Sequence, residues 1–172
     1  MISFDNIDNY NLALKESSII WRLTEEEYNI LPIEHLNQIQ AYNKEGSKFL
    51  DNYISQLNLH QEIPFTPGFF KTIDRIDFGL DEEQKVKKWL YKRGFAFDKE
   101  VYLSWDVETG AKVPWKILVK YFDDFFYPGP DDLTVFDSSL NWALLFFHES
   151  EIYFGTNENY KLTKEQPAGN KL

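Results

Sequence analysis

The chain has 172 residues, 28 of them acidic and 18 basic, for a formal net charge of −10. Such a balance lacks the basic footprint that nucleic-acid binding requires and disfavours anionic membrane surfaces. Cysteine is absent, which excludes disulfides, thiolate metal sites and cysteine nucleophiles and suits a reducing, cytoplasmic compartment.

Apolar residues make up 43% of the chain and aromatics 17%, enough to build one core. Met1 to Asn11 has no basic stretch followed by an apolar one, so no secretory signal is expected there. Thr24-Glu25-Glu26-Glu27 has the spacing of a capping box, and Pro32 suits the first turn of a further helix. Leu36, Ile39, Tyr42, Phe49, Leu50, Tyr53, Ile54 and Leu57 then recur at spacings of three and four, the apolar stripe of an amphipathic helix. Gly46 falls on that stripe, where it permits close packing or divides the helix in two.

Pro64 and Pro67-Gly68 interrupt the pattern, and Phe69 to Phe78 reads as a strand. Asp81 is expected to cap a helix with Glu82 and Glu83 early, Lys87, Lys88, Lys92 and Arg93 late, and Val86, Trp89 and Leu90 on its buried face. Gly94 is the predicted stop. Val101, Leu103 and Trp105 alternate with polar residues as a strand does, Glu108-Thr109-Gly110 is a turn, and Pro114 opens a short helix bearing Trp115, Leu118, Val119 and Phe122. Tyr127 to Asp132 forms a rigid Pro-Gly-Pro loop. Leu133 to Asp137, Trp142 to His148 and Glu151 to Gly155 follow as three strands whose short links force antiparallel pairing. Trp142 to Phe147 is apolar throughout, which marks a central strand covered on both faces, with the helices supplying the cover on one of them. The fold class is therefore α+β: N-terminal helices packed on a C-terminal, mainly antiparallel β-sheet. Residues 1–162 are expected to form a single domain and residues 163–172 a polar tail, its final Lys171-Leu172 read as a vector remnant.

Charge is distributed unevenly. Residues 1–62 carry 10 acids and 4 bases, residues 63–94 carry 5 and 7, and residues 95–172 carry 13 and 7. From Tyr121 to Tyr160 there is no lysine or arginine, but there are eight acids and twelve aromatics. Uncompensated, such acids repel one another, and a cationic partner would turn that repulsion into binding energy and fast association. The predicted partner-binding residues are Asp123, Asp124, Tyr127, Asp131, Asp132, Asp137, Glu149 and Glu151, with Tyr127 as the aromatic anchor. The alternative for Asp131, Asp132 and Asp137 is plain turn formation.

Candidates for chemistry are sparse. His35 and His60 have no neighbours at ligand spacing. His148-Glu149-x-Glu151, with Asp131 or Asp132, is the only local group with metal-ligand chemistry, and Asp123-Asp124 and Asp131-Asp132 are the only adjacent aspartate pairs in the acid-rich stretch. There is no phosphate loop, dinucleotide fingerprint or nucleophile elbow. No catalytic residue, metal site or cofactor is predicted.

Trp115, the loop Tyr127-Pro128-Gly129-Pro130-Asp131-Asp132, Trp142, His148-Glu149 and Phe154-Gly155 together resemble small bacterial toxin-immunity proteins. The resemblance covers roughly residues 100–156. It implies a compact acidic cytoplasmic α+β domain that binds and neutralises a cognate basic toxin domain, often a nuclease, without catalysis. Two other functions fit the residues: an adaptor domain for a non-toxin protein, and a small metal-dependent hydrolase using His148 and nearby carboxylates.

Overall fold

A computed structural model describes residues 1–158. The expected tail, residues 163–172, lies outside the described residues, as does Tyr160. The elements are β1 (Asn11–Leu12), α1 (Trp21–Thr24), α2 (Ile33–Leu36), β2 (Gln40–Tyr42), α3 (Lys44–Gln56), β3 (Thr72–Asp77), α4 (Glu83–Tyr91), β4 (Glu100–Ser104), β5 (Gly110–Pro114), α5 (Trp115–Phe125), β6 (Leu133–Phe136), β7 (Trp142–Phe147) and β8 (Glu151–Thr156). Single 3₁₀ turns at Ile7–Tyr10 and Leu14–Glu16 complete the N-terminal part. The eight strands form one sheet in the order β1-β2-β5-β4-β6-β7-β8-β3, with every neighbouring pair antiparallel. The fold is α+β.

Side chains alternate across this sheet with period two. Val101 and Leu103, Leu133 and Val135, Trp142, Leu144 and Phe146, and Ile152 and Phe154 point to one face. There they meet α4 through Val86 and Leu90, α5 through Trp115, Leu118 and Phe122, and α1 through Leu23. Phe136, Ala143 and Leu145 point to the other face, beneath Leu50 and Ile54 of α3 and beneath Leu59, Phe65 and Phe70 of the following segment. Each fully buried Leu or Phe contributes about 1.5–3 kcal/mol relative to exposure. The expected two-sided cover of the central strand is observed, and helices contribute to both faces and not to one, since α3 lies opposite α4 and α5. Both faces are covered, and this is why β7 is buried along almost its whole length.

The three C-terminal strands and the helices at 83–91 and 115–125 lie where periodicity places them. The stripe from Leu36 to Leu57 does not form one helix or two. Gln40 and Ala41 pair with Lys112 and Ala111 as strand β2, and the Asn43 side chain caps α3 by accepting from the Glu45 and Gly46 amides. Sheet pairing overrides the helical period there, because a strand and a helix in succession happen to keep the apolar spacing. Thr24 ends α1 instead of capping a new helix, with its hydroxyl donating to the Ile20 carbonyl. Asp81 adopts a left-handed φ of 64° and does not cap α4, while Glu82 accepts from the Gly79 amide just ahead of that helix. β5 has no counterpart among the elements expected from the sequence. It begins at Gly110, where a Cβ would stand 3.1 Å from Leu50 Cδ1 and 3.3 Å from Ser47 Cα, so glycine permits the close approach of α3.

Candidate functional site

The acid-rich stretch after Tyr121 is not a surface without cations. Cations reach it from segments earlier in the chain. Asp131 is buried and held by both terminal nitrogens of Arg22, at 2.5 and 3.0 Å. Its carboxylate also accepts from the Tyr127 amide. Asp137 lies 2.8 Å from Lys99 Nζ and accepts from the Ser139 amide and hydroxyl and from Trp142 Nε1. Burial alone would raise the Asp137 carboxyl, but Lys99, Ser139 and Trp142 outweigh it and hold the group below the usual carboxylate range. Glu151 pairs with Arg75 at 2.8 Å, and Asp123 with Lys87 at 3.8 Å. Asp132 accepts from the His148 amide and contacts His148 Nδ1 at 2.9 Å.

The reason is topological. The segment 63–94, richer in bases than acids, supplies β3 beside β8 and α4 beside α5, and so brings Arg75 and Lys87 to the acids. The acids also fail to share a side. Asp132 and Asp137 stand at opposite ends of β6, and Glu149 lies in the β7–β8 turn. Glu149 alone among the predicted residues is exposed without a hydrogen bond or ion pair among the described residues. The expectation of an uncompensated docking surface built from these eight residues is therefore corrected.

Two of the predicted residues, Asp124 and Tyr127, help to form a different face. Asp124 is buried at the end of α5 and accepts from Asn29 Nδ2 at 2.9 Å. Burial pushes its carboxyl up, Asn29 opposes this, and Asp123 adds to it. Tyr127 is half-buried and stacks on Tyr28 with ring centroids 6.1 Å apart, while Trp21 packs edge-on against Tyr28 at 4.6 Å. The Arg22 guanidinium lies 4.5 Å from the Tyr127 ring centroid and, through Asp131, ties this aromatic group to the Pro-Gly-Pro loop. His35 meets the Tyr121 hydroxyl at 2.5 Å and fixes α2 to α5.

These contacts seat residues 25–32, the loop between α1 and α2, against the end of α5. Glu25, Glu26 and Glu27 are exposed in succession, Glu34 is exposed on α2, and none forms an ion pair among the described residues. Between them stand three of the exposed large hydrophobics, Tyr28 at 45%, Ile30 at 58% and Ile33 at 66%. Cations on the adjoining elements are engaged elsewhere: Arg22 pairs with Asp131, Lys87 pairs with Asp123, and Lys120 lies over the Tyr121 ring. The uncompensated acids and the exposed apolar side chains thus come together at residues 25–34. In the sequence, Glu25 to Glu27 read as a capping box. The available signal was three consecutive glutamates followed by Tyr28 and Ile30, with no lysine or arginine between Arg22 and Lys44.

His148 is exposed, and among the described residues no group of three His, Cys, Asp or Glu side chains is arranged to hold a metal ion. Nor is any helix among the described residues long and apolar enough to cross a membrane. No family model, no curated protein and no solved structure matches the chain.

Proposed function

We propose that this is a binding protein of the immunity or antitoxin kind, docking a basic toxin domain through the face formed by Glu25, Glu26, Glu27, Tyr28, Ile30, Ile33, Glu34 and Tyr127. The observation that carries this reading is the juxtaposition at residues 25–34. Four exposed glutamates without a cationic partner surround large apolar side chains open to solvent. Exposed aromatic and aliphatic groups anchor protein interfaces, and surrounding like charges steer a partner of opposite sign and reject partners of the same sign. Asp123, Asp131, Asp137 and Glu151 offer no free charge to such a partner, since each has an internal cationic partner.

The test is calorimetric titration of the purified protein with the separately expressed product of the adjacent gene, at rising sodium chloride. Tight binding to a basic domain, weakening steeply with salt, supports the reading. Binding that salt leaves unchanged, or no binding, contradicts it.

A further inference from the structure

At the ends of β4 and β6, on the α3 side of the sheet, lies a cavity of about 370 Å³. Asp51 and Ile54 of α3, the 58–63 segment, Trp105 and Asp132 form its walls, and Ser104, Thr134 and Leu145 of the sheet lie at its base. Ser104 is only 5% exposed, and its hydroxyl makes no hydrogen bond among the described residues. The half-buried Asp51 carboxylate likewise has no hydrogen bond or ion pair there. Burial and the nearby Asp106 carboxylate both push the Asp51 carboxyl up, and a cation beside it would oppose both.

His60 defines the hydrogen-bonding sense of the base. Its Nδ1 lies 2.7 Å from the Pro64 carbonyl, which can only accept, so that nitrogen carries the proton. Nε2, 2.9 Å from Thr134 Oγ1, must then accept the hydroxyl proton. Burial lowers the His60 pKa, which keeps the ring neutral. Thr134 is left with lone pairs to offer. No lysine or arginine lines the cavity, and its neutral donors are the side-chain amides of Asn58 and Gln61 and the hydroxyls of Ser55 and Ser104, the hydroxyls being able to accept as well. The charged groups are therefore Asp51 and Asp132, and Asp132 engages His148 through Oδ1, with no partner for its second oxygen among the described residues. Beside them stands the Trp105 indole, whose Nε1 is already committed to the Phe125 carbonyl. A site of carboxylates, an unpartnered hydroxyl and an aromatic wall suits a ligand that carries positive charge and several N–H donors.

We propose that this cavity is a binding site for an organic cation bearing a primary ammonium or guanidinium group, held by Asp51 and Asp132 with Ser104 as a further acceptor. The proposal is independent of the docking face, since it concerns the isolated protein and a small ligand. The shared chemistry has two sources, a free polyamine-like molecule or the lysine or arginine side chain of a peptide.

The test is amide NMR titration of the isolated protein with agmatine, spermidine and N-acetyl-arginine amide, using N-acetyl-citrulline amide and glutamate as neutral and anionic controls. Saturable shifts confined to residues 51–63, 104–106 and 132–134, with cations only, are expected. Asp51→Asn should weaken binding by about tenfold or more, as loss of a charge-assisted contact does. Ser104→Ala should weaken it less, and Asp137→Asn, at the far end of β6, should leave it unchanged. Stronger binding of the free amines assigns a small-molecule ligand, and stronger binding of the arginine amide assigns a side chain. Either supports the proposal. Absence of saturation with every cation, equal binding of the citrulline control, or full affinity in both Asp51→Asn and Asp132→Asn, each variant giving a native-like spectrum, would overturn it.

Discussion

The carboxylates of residues 121–151 and those of residues 25–34 look alike in the sequence, each a group of acids among aromatic and aliphatic residues with no cation between them. In the fold their fates are opposite. Asp123, Asp131, Asp137 and Glu151 meet Lys87, Arg22, Lys99 and Arg75, all drawn from positions earlier in the chain. Glu25, Glu26, Glu27 and Glu34 meet no cation among the described residues and remain exposed. Local charge density along a chain is not surface charge. What decides the difference is whether strand pairing and helix packing deliver a basic segment to the same place.

This contrast predicts that substitutions in the first group act on stability and substitutions in the second act on binding. Arg22→Ala should have the largest effect. It leaves Asp131 buried without its cation, a loss of about 3–5 kcal/mol, and urea unfolding would show it. A loss below 1 kcal/mol would mean that the pair contributes little. Asp137→Asn should cost about 1–2 kcal/mol at neutral pH, since hydrogen bonds to a charged group are lost. The Asp137 carboxyl is held below its ordinary value of 3.8, so the stabilisation is present above that pH and disappears as pH falls through the folded value. The gap between wild type and Asp137→Asn should therefore close in acid, and an unfolding series from neutral pH downward would check it.

Asp124 should respond with the opposite sign. Its carboxyl is raised, so its contribution is full at low pH and is lost as pH rises through the folded value. Asp124→Asn keeps an oxygen acceptor for Asn29 and should stabilise the protein at neutral pH by up to about 1 kcal/mol. A net loss at neutral pH would show that the ionised form is favoured. The smallest effect on stability belongs to the triple reversal Glu25→Lys, Glu26→Lys and Glu27→Lys, within about 0.5 kcal/mol because these side chains are exposed and form no hydrogen bond or ion pair among the described residues.

Much of the fold was legible. The strands from Leu133 onward carry apolar side chains on both faces and are joined by links too short for anything but hairpins, and the helix from Trp115 follows a proline. The elements misread are those where two signals coincide. Ile39 and Tyr42 fit a helical period, yet Ile39 precedes β2 and Tyr42 ends it, and only the pairing of Ala41 with Ala111 decides for the strand. The site was less legible. Asp124 and Tyr127 do contribute to the candidate face, but their neighbours there, Tyr28 and Asn29, lie nearly a hundred positions earlier in the chain. His60 has no neighbour at ligand spacing in the sequence, and its two partners in the fold include Thr134, 74 positions away on β6. Long-range contacts of this kind leave no trace in spacing.

The most direct measurement compares the affinity of the adjacent gene's product for two charge-reversed proteins side by side. One carries lysine at positions 25, 26 and 27, and the other carries lysine at position 149. If the partner docks on the face around Tyr28, the first should lose affinity by about a hundredfold or more and the second should stay within about twofold of wild type. Retained affinity in the first protein, with loss in the second, would return the docking surface to the C-terminal strands and contradict the account.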